Sequence, residues 1–382
     1  MSPLKVVRAG TYVPTFRRNL QMSRLLDLAG YQVVEERVDL WPDDRIETAS
    51  TGKVRTILKA PLAYARLIYR LARMERPDLV IIGYPGWFDV PVVALVCRLR
   101  KVPILFDMFI SIYDTAVLDR CLFRKGSFVA RLLRLTDTWA CRLADRVVVD
   151  TEPNASFISD LTQVDRERIG ILPLGADESL FFPHDADVDE NRITFHGTFV
   201  PLQGLATILR AAAELQRNDT YLKLIGDGQE SELIDELIAD LNLLNVERTG
   251  LLPVDVIPQL LATSAVVLGI FGDSDKADRV VPNKLYEGLA MARPVVTGDT
   301  SAARWALTDG EAVLIPGRDP KDIARAIKEL MADPARREEV ALAGRRAFET
   351  RFSEEKLAFD LDREARAAIL RESAPGSNVP NG

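Results

Sequence analysis

Short β-branched runs, each followed by a longer amphipathic stretch, recur along the whole chain and leave few folds open to it. In the first half these strand candidates are Val6–Val7, Val33–Val34, Leu79–Ile82, Ile104–Phe106, Val147–Val149 and Ile171–Leu172. In the second they are Ile193–Phe195, Leu222–Ile225, Val266–Leu268, Pro294–Thr297 and Val313–Ile315. Near-continuous apolar strands separated by helical patterns predict parallel sheets covered on both faces. Two such series in 382 residues predict an α/β protein of two doubly wound, Rossmann-like domains. A Pro- and Gly-bracketed stretch, Pro173 to Pro183, marks the boundary, giving domains of 1–175 and 176–352. Helices are expected to open at Asp319-Pro320, at Asp333-Pro334 and near Ser353, with Ser353 a candidate N-cap. Residues 373–382 are rich in Pro, Gly, Asn and Ser and read as a disordered tail.

The composition, 47% hydrophobic and 27% charged, is that of a globular soluble protein. Met1 runs into a strand-like segment without a basic-then-apolar leader, and the apolar stretch Leu79–Cys97 is broken by Pro85, Asp89 and Pro91. Cys97, Cys121 and Cys141 lack metal-ligand spacing. These features together predict a cytoplasmic protein. Charge is unevenly spread. Residues 1–170 hold 26 Lys and Arg against 20 Asp and Glu, whereas residues 171–382 hold 23 against 36. The basic surplus lies in two amphipathic segments, Lys53–Arg76 and Arg120–Arg146. Such helices can lie on an anionic membrane, at its inner face for a cytoplasmic protein; ordinary sheet-covering helices with a solvated basic face are the alternative. The acidic second half and the lack of a binding motif argue against nucleic acid.

In open parallel sheets ligands bind beyond the carboxyl ends of the strands. In the second half, Ile193–Phe195 is followed by His196-Gly-Thr-Phe-Val-Pro-Leu-Gln-Gly204, and Leu222–Ile225 by Gly226-Asp227-Gly228. Glycines there let backbone N–H groups approach a phosphate, or simply make tight turns. The third segment runs Arg279-Val-Val-Pro-Asn-Lys-Leu-Tyr-Glu287, then Gly-Leu-Ala-Met-Ala-Arg-Pro-Val-Val296. Pro282 and Asn283 precede a short helix on which Lys284 and Glu287, three residues apart, share a face. A lysine at a helix start can neutralise a diphosphate, and a carboxylate one turn later can accept from two ribose hydroxyls. A surface ion pair is the bland reading.

Together these segments resemble the GT-B glycosyltransferases of glycosyltransferase family 4. Leu172-Pro-Leu-Gly-Ala-Asp-Glu-Ser-Leu-Phe181, Gly226-Asp227-Gly228, the Glu287–Val296 segment, Glu311–Pro320 and Arg351-Phe-Ser353 match that family in order. The resemblance implies two Rossmann-like domains facing across a cleft, with a helix of about 353–372 packing back on the first. It implies a nucleotide diphosphate sugar as co-substrate, no cofactor, no metal and retention of anomeric configuration. Donor contacts are then expected from His196, Gly197, Thr198, Gln203, Gly226, Asp227, Gly228, Arg279, Pro282, Asn283, Lys284, Leu285 and Glu287. The family usually has two glutamates seven residues apart, and Arg279 stands where the first belongs. Thr198 and Gln203 stand where it has a diphosphate-binding Arg and Lys. Lys284 and Arg279 are the candidates to replace those charges, as in a subgroup with a similar Pro-Asn-Lys turn.

The first half should then bind the acceptor, a glycan, a lipid-linked sugar or a small molecule. Tyr12, Arg17, Arg18 and Asn19 follow the first strand, and Tyr84 and Trp87 lie in the aromatic loop after Leu79–Ile82. The arginines can hold a phosphate or merely be solvated, and the rings can stack on sugars or merely pack. The family often has a histidine near Asp107, but the chain has only His184 and His196. Asp107, Lys284 and Glu287 are therefore the expected catalytic residues, with Asp107 accepting the acceptor's proton or positioning the sugar and Ser111 close by. A helix cap is the structural reading of Asp107. Two rival functions stay open: a nucleotide-sugar epimerase, and a catalytically silent relative that binds a partner or a membrane. A nicotinamide-dependent dehydrogenase is disfavoured, since no Gly-x-Gly-x-x-Gly follows the first strand.

Overall fold

The structure, a computed structural model, describes residues 3–40, 53–216 and 219–372. The chain forms two compact units. One comprises the chain up to Asp150, Asn154–Pro173 and the segment from Leu357; the other comprises Thr151–Pro153 and Leu174–Lys356. The expected tail, 373–382, lies outside the described residues.

The first unit holds six strands: β1 (Lys5–Gly10), β2 (Gln32–Arg37), β3 (Leu79–Ile82), β4 (Ile104–Phe109), β5 (Arg146–Val149) and β6 (Ile169–Ile171). They pair in the order β2-β1-β3-β4-β5-β6, every neighbour parallel. Alternate residues of one strand face opposite sides of a sheet, and here both sides are apolar. Val7, Val80, Ile82, Ile104 and Phe106 face the core shared with the helices Lys53–Arg73, Asp89–Arg100 and Phe128–Leu143. Val6, Leu79, Ile81, Leu105 and Val148 face the helices Arg17–Leu28 and Glu354–Glu372. The latter helix buries Leu357, Leu361, Ala365 and Ala368 at helical spacing in that core.

The second unit holds β7 (Asp189–His196), β8 (Tyr221–Ile225), β9 (Val246–Thr249), β10 (Ser264–Leu268), β11 (Val295–Gly298) and β12 (Val313–Ile315). Their order is β12-β11-β10-β7-β8-β9, again all parallel. Strand β9 was not among the sequence candidates. It is the edge strand Val-Glu-Arg-Thr, with one exposed residue and three half-buried ones, so it carries no apolar run to read.

In each sheet the chain starts in the interior and strand order reverses beside the first strand, at β1/β3 and at β7/β10. Loops leaving the carboxyl ends of those strands diverge and open a crevice for a ligand. No helix among the described residues is long and apolar enough to cross a membrane.

Candidate functional site

In the second unit the residues after β7 meet the helix Asn283–Ala290. Pro282 caps this helix with extended backbone (φ −76°, ψ 154°), which its ring favours and which ends the preceding segment sharply. The helix is short and almost wholly buried, so Lys284 and Glu287 are carried inside the protein. Side chains three apart on a helix lie over one another, and both reach the end of β7. Glu287 Oε2 sits 3.1 Å from His196 Nε2, with the two side chains 3% and 5% exposed. Lys284 donates to Gln203 Oε1, and its ammonium lies 3.6 Å from the centroid of the Phe195 ring. A Cβ on Gly197 would come within 3.0 Å of Lys284 Nζ, and the φ of Gly197 is +141°, so the glycine lets the ammonium approach the chain. His196, Gly197, Gln203, Lys284 and Glu287, drawn from segments eighty residues apart, thus converge at the β7 end of the β7/β10 crevice.

The glycine loop after β8 acts on this cluster through its neighbour. Gly197 N–H donates to Ile225 O (3.0 Å) and Phe199 N–H to Asp227 O (2.9 Å), so the two loops run backbone to backbone. A Cβ on Gly226 would lie 1.9 Å from Gly197 O, and one on Gly228 2.6 Å from Phe199 O. The N–H of Gly228 is already 2.9 Å from both Asp227 Oδ1 and Ser231 Oγ. These glycines are therefore required for packing that sets the position of Gly197, and Asp227 itself is exposed. Of the other expected donor residues, Thr198 is exposed, Arg279, Pro282 and Asn283 are half-buried, and Leu285 is core.

Sequence reasoning missed the loop after β10. Phe271 N–H donates to Gln203 O (3.0 Å), and Cβ atoms on Gly204 and Gly272 would fall 2.3 Å from Phe271 C and 2.4 Å from Leu202 O. Gly269-Ile-Phe-Gly272 thus fixes the loop that carries Gln203; its two glycines after an apolar run were the available signal.

In the first unit the expected acceptor residues are mostly engaged with one another. Arg18 and Asp107 form a bidentate pair, with Nε–Oδ2 and Nη2–Oδ1 both 2.9 Å and side chains 1% and 0% exposed. Arg18 also donates to Gln21 Oε1 (3.1 Å) and to Leu172 O (3.0 Å). In this structure the two groups are turned toward one another and shielded from water. Each charge thus neutralises the other out of water. Ser111 is buried too and donates to Asp137 (2.6 Å), which also accepts from the N–H groups of Ile112 and Tyr113. Burial pushes the Asp137 carboxyl up to about 7. Tyr12 donates to Glu35 beneath Arg8, and Asn19 donates to Val13 O (2.8 Å) and Tyr84 O. Arg17 is exposed.

What these contacts build is an aromatic group at the β1/β3 crevice. Tyr84 stands 4.8 Å from Phe16, 5.3 Å from Trp87 and 5.4 Å from Phe109, centroid to centroid. Tyr84, Trp87 and Phe16 are half-buried, leaving ring surface accessible. Asp89 closes the base: it accepts from Thr11 N (2.7 Å) and Tyr64 Oη (2.9 Å), and burial raises its carboxyl to about 6. Among the described residues no three His, Cys, Asp or Glu side chains gather as a metal site.

Residues 190–333 match the family described as "Glycosyl transferases group 1", and residues 16–175 match "Glycosyl transferase 4-like domain". The lipopolysaccharide core biosynthesis glycosyltransferase LpsD of Rhizobium meliloti is 30% identical over 42% of the chain and 45% of its own length. A D-inositol 3-phosphate glycosyltransferase of Acidothermus cellulolyticus is 26% identical over 89% of the chain and 82% of its own length. The chain thus spans less than half of LpsD. Sucrose-phosphate synthase of Thermosynechococcus elongatus superposes with a TM-score of 0.73 at 18% identity, covering 96% of this chain and 99% of that one. HepE of Anabaena, solved with UDP and glucose, gives a TM-score of 0.68 at 15% identity, covering 94% and 98%.

Proposed function

We propose that this chain, which belongs to the GT-B glycosyltransferases of family 4, moves a sugar from a nucleotide diphosphate sugar to a hydroxyl of an acceptor. The observation that carries the reading is the convergence of His196, Gln203, Lys284 and Glu287 around Gly197 at a topological switch point. In it Lys284 binds the diphosphate, assisted by Arg279. Glu287 accepts from the ribose hydroxyls, a capacity it keeps beside His196 because a carboxylate offers about four lone-pair sites.

The chemistry follows from those roles. The bond from the anomeric carbon to the phosphate oxygen breaks, its electron pair staying on that oxygen, while the acceptor oxygen bonds to the anomeric carbon. Negative charge grows on the diphosphate, where the Lys284 ammonium, held in a dry site, stabilises it without reorganising. With retention, the acceptor approaches on the leaving group's face, so the departing phosphate oxygen takes the hydroxyl proton. No carboxylate base is then needed, which suits the sequestration of Asp107 by Arg18. The acceptor is a polyhydroxylated group, a glycan, lipid-linked sugar or polyol, stacked on Tyr84 and Trp87. The relatives named for a lipopolysaccharide core and for inositol phosphate favour that class. A peripheral location on the inner face of a membrane would give access to a lipid-linked one.

A screen of nucleotide sugars for donor hydrolysis tests this, with Lys284→Ala and Glu287→Ala as controls. An active donor whose turnover and affinity both variants leave intact would overturn the site. Turnover of a nucleotide sugar to its epimer without any acceptor would favour the epimerase instead.

A further inference from the structure

The helix Phe128–Leu143 is built inside out. Its buried positions are Ala130, Asp137, Ala140 and Cys141, mostly small residues set against the sheet. Four of its large apolar residues point away, Phe128 82% exposed, Leu132 50%, Leu135 49% and Trp139 55%, while Leu133 and Leu143 are half-buried. At 100° per residue these four fall within about 60° of one another, a single stripe opposite the buried face. A helix whose only task was to cover the sheet would turn that stripe inward.

The charges beside the stripe have one sign. Arg131, Arg134 and Arg142 on the helix, and Arg124 and Lys125 before it, are exposed. Its single acid, Asp137, is buried beneath Ser111. Two neighbours in the same layer share the pattern, whereas a fourth helix there, Glu152–Thr162, exposes Asp160. Asp89–Arg100 exposes Leu95, Leu99 and Arg98, and its single acid, Asp89, is buried. Lys53–Arg73 contains no acid and exposes Leu62, Tyr69, Arg66, Arg70 and Arg73. The outer sides of Lys53–Arg73, Asp89–Arg100 and Phe128–Leu143 therefore show cations and apolar side chains, with the acids Asp89 and Asp137 turned in.

We infer that this stripe is a docking surface for an anionic lipid bilayer, with Phe128, Leu132, Leu135 and Trp139 entering the headgroup boundary and the arginines lying over lipid phosphates. The inference deepens the proposed peripheral location and rests on it. A helix with an apolar stripe and a basic flank lies in the plane of such an interface, and each cation near it favours partition roughly fivefold. A second copy of the chain fits less well, because a twofold pairing through one stripe would oppose like charges.

Co-sedimentation with vesicles of phosphatidylcholine, with and without a third phosphatidylglycerol, tests it. The full chain is expected to bind the anionic vesicles, to release them as salt rises, and to ignore the neutral ones. The combined variant Phe128→Ser, Leu132→Ser, Leu135→Ser and Trp139→Ser should bind more than about tenfold more weakly. The vesicle-induced blue shift of tryptophan emission should vanish in Trp139→Phe. Thermal stabilisation by a nucleoside diphosphate should survive in both variants, which keeps loss of docking separate from failure of the donor reading. Equal binding by wild type and the combined variant overturns the inference. So does a concentration-dependent dimer that the variant abolishes while vesicles stay unbound.

Discussion

Replacing Lys284 with methionine removes the ammonium while keeping the length and apolar stem of the side chain. In the native protein the charge is 3% exposed, held over the Phe195 ring at 3.6 Å and hydrogen-bonded to Gln203. Water therefore does little to screen its contact with a phosphate, and a hydrogen bond to a charged group of this kind is worth about 1.5–3 kcal/mol. At 1.36 kcal/mol per decade, affinity for a nucleoside diphosphate should fall about 12- to 160-fold. A thermal-shift screen first selects the nucleoside diphosphate that stabilises the wild type. Calorimetric titration then gives Kd for it and for the parent nucleoside, in both proteins. The nucleoside should bind within about twofold in the two, since it offers the ammonium nothing. An equal loss for nucleoside and diphosphate would mean that Lys284 supports the pocket's shape. No loss for either would remove it from the donor site.

Glu287→Gln should show the complementary pattern: weaker binding of the ribonucleoside by about tenfold or more, and loss of discrimination against the 2′-deoxy form. Unchanged discrimination would reassign Glu287 to the support of His196. Arg18→Met alone should cost about 3–5 kcal/mol in urea unfolding, because it strands Asp107 without its partner, whereas Arg18→Met with Asp107→Leu should recover much of it. Additive losses would refute the coupling. For Asp137 the folded carboxyl titrates near 7, raised by burial, against about 3.9 in the unfolded chain. The folded state then binds the extra proton between those values, so this residue's contribution is full below about pH 4 and is lost as pH climbs to about 7. The difference in unfolding free energy between wild type and Asp137→Asn should shift by about 3–4 kcal/mol across that window, whatever the pH-independent cost of the amide. Parallel stability curves would show that the carboxyl stays ionised.

What the sequence reveals and hides follows from the range over which each contact acts. The strands could be read because a buried parallel strand needs an apolar run of its own; β9, whose residues are half-buried or exposed at a sheet edge, offered none. Lys284 and Glu287 could be paired because a helix fixes the geometry of residues three apart. That Glu287 meets His196, ninety-one positions earlier, depends on β7 lying next to β10 in the sheet, and strand order is not written in any local pattern. The pairing of Asp107 with Arg18 was out of reach for the same reason. A carboxylate at a strand's end looks available until the arginine that covers it, eighty-nine residues away, is in place.

The basic helix at Phe128 shows a subtler limit. Its periodicity announced two faces, and an apolar face is ordinarily assigned to the core. Yet the residues that reach the sheet are Ala130, Ala140 and Cys141, where the helix packs closely enough for the sulfur of Cys141 to lie 3.4 Å from that of Met108. Phenylalanine or tryptophan at those positions would push the helix away from β4. Close packing therefore selects the small face for the interior, and the large residues are left outside by volume, against the hydrophobic effect that should bury them. Leaving four such side chains in water forgoes about 1.5–3 kcal/mol for each that could have been fully buried. A sequence that keeps all four in one stripe, while hiding the only acid of the helix, has a use for that stripe beyond the fold.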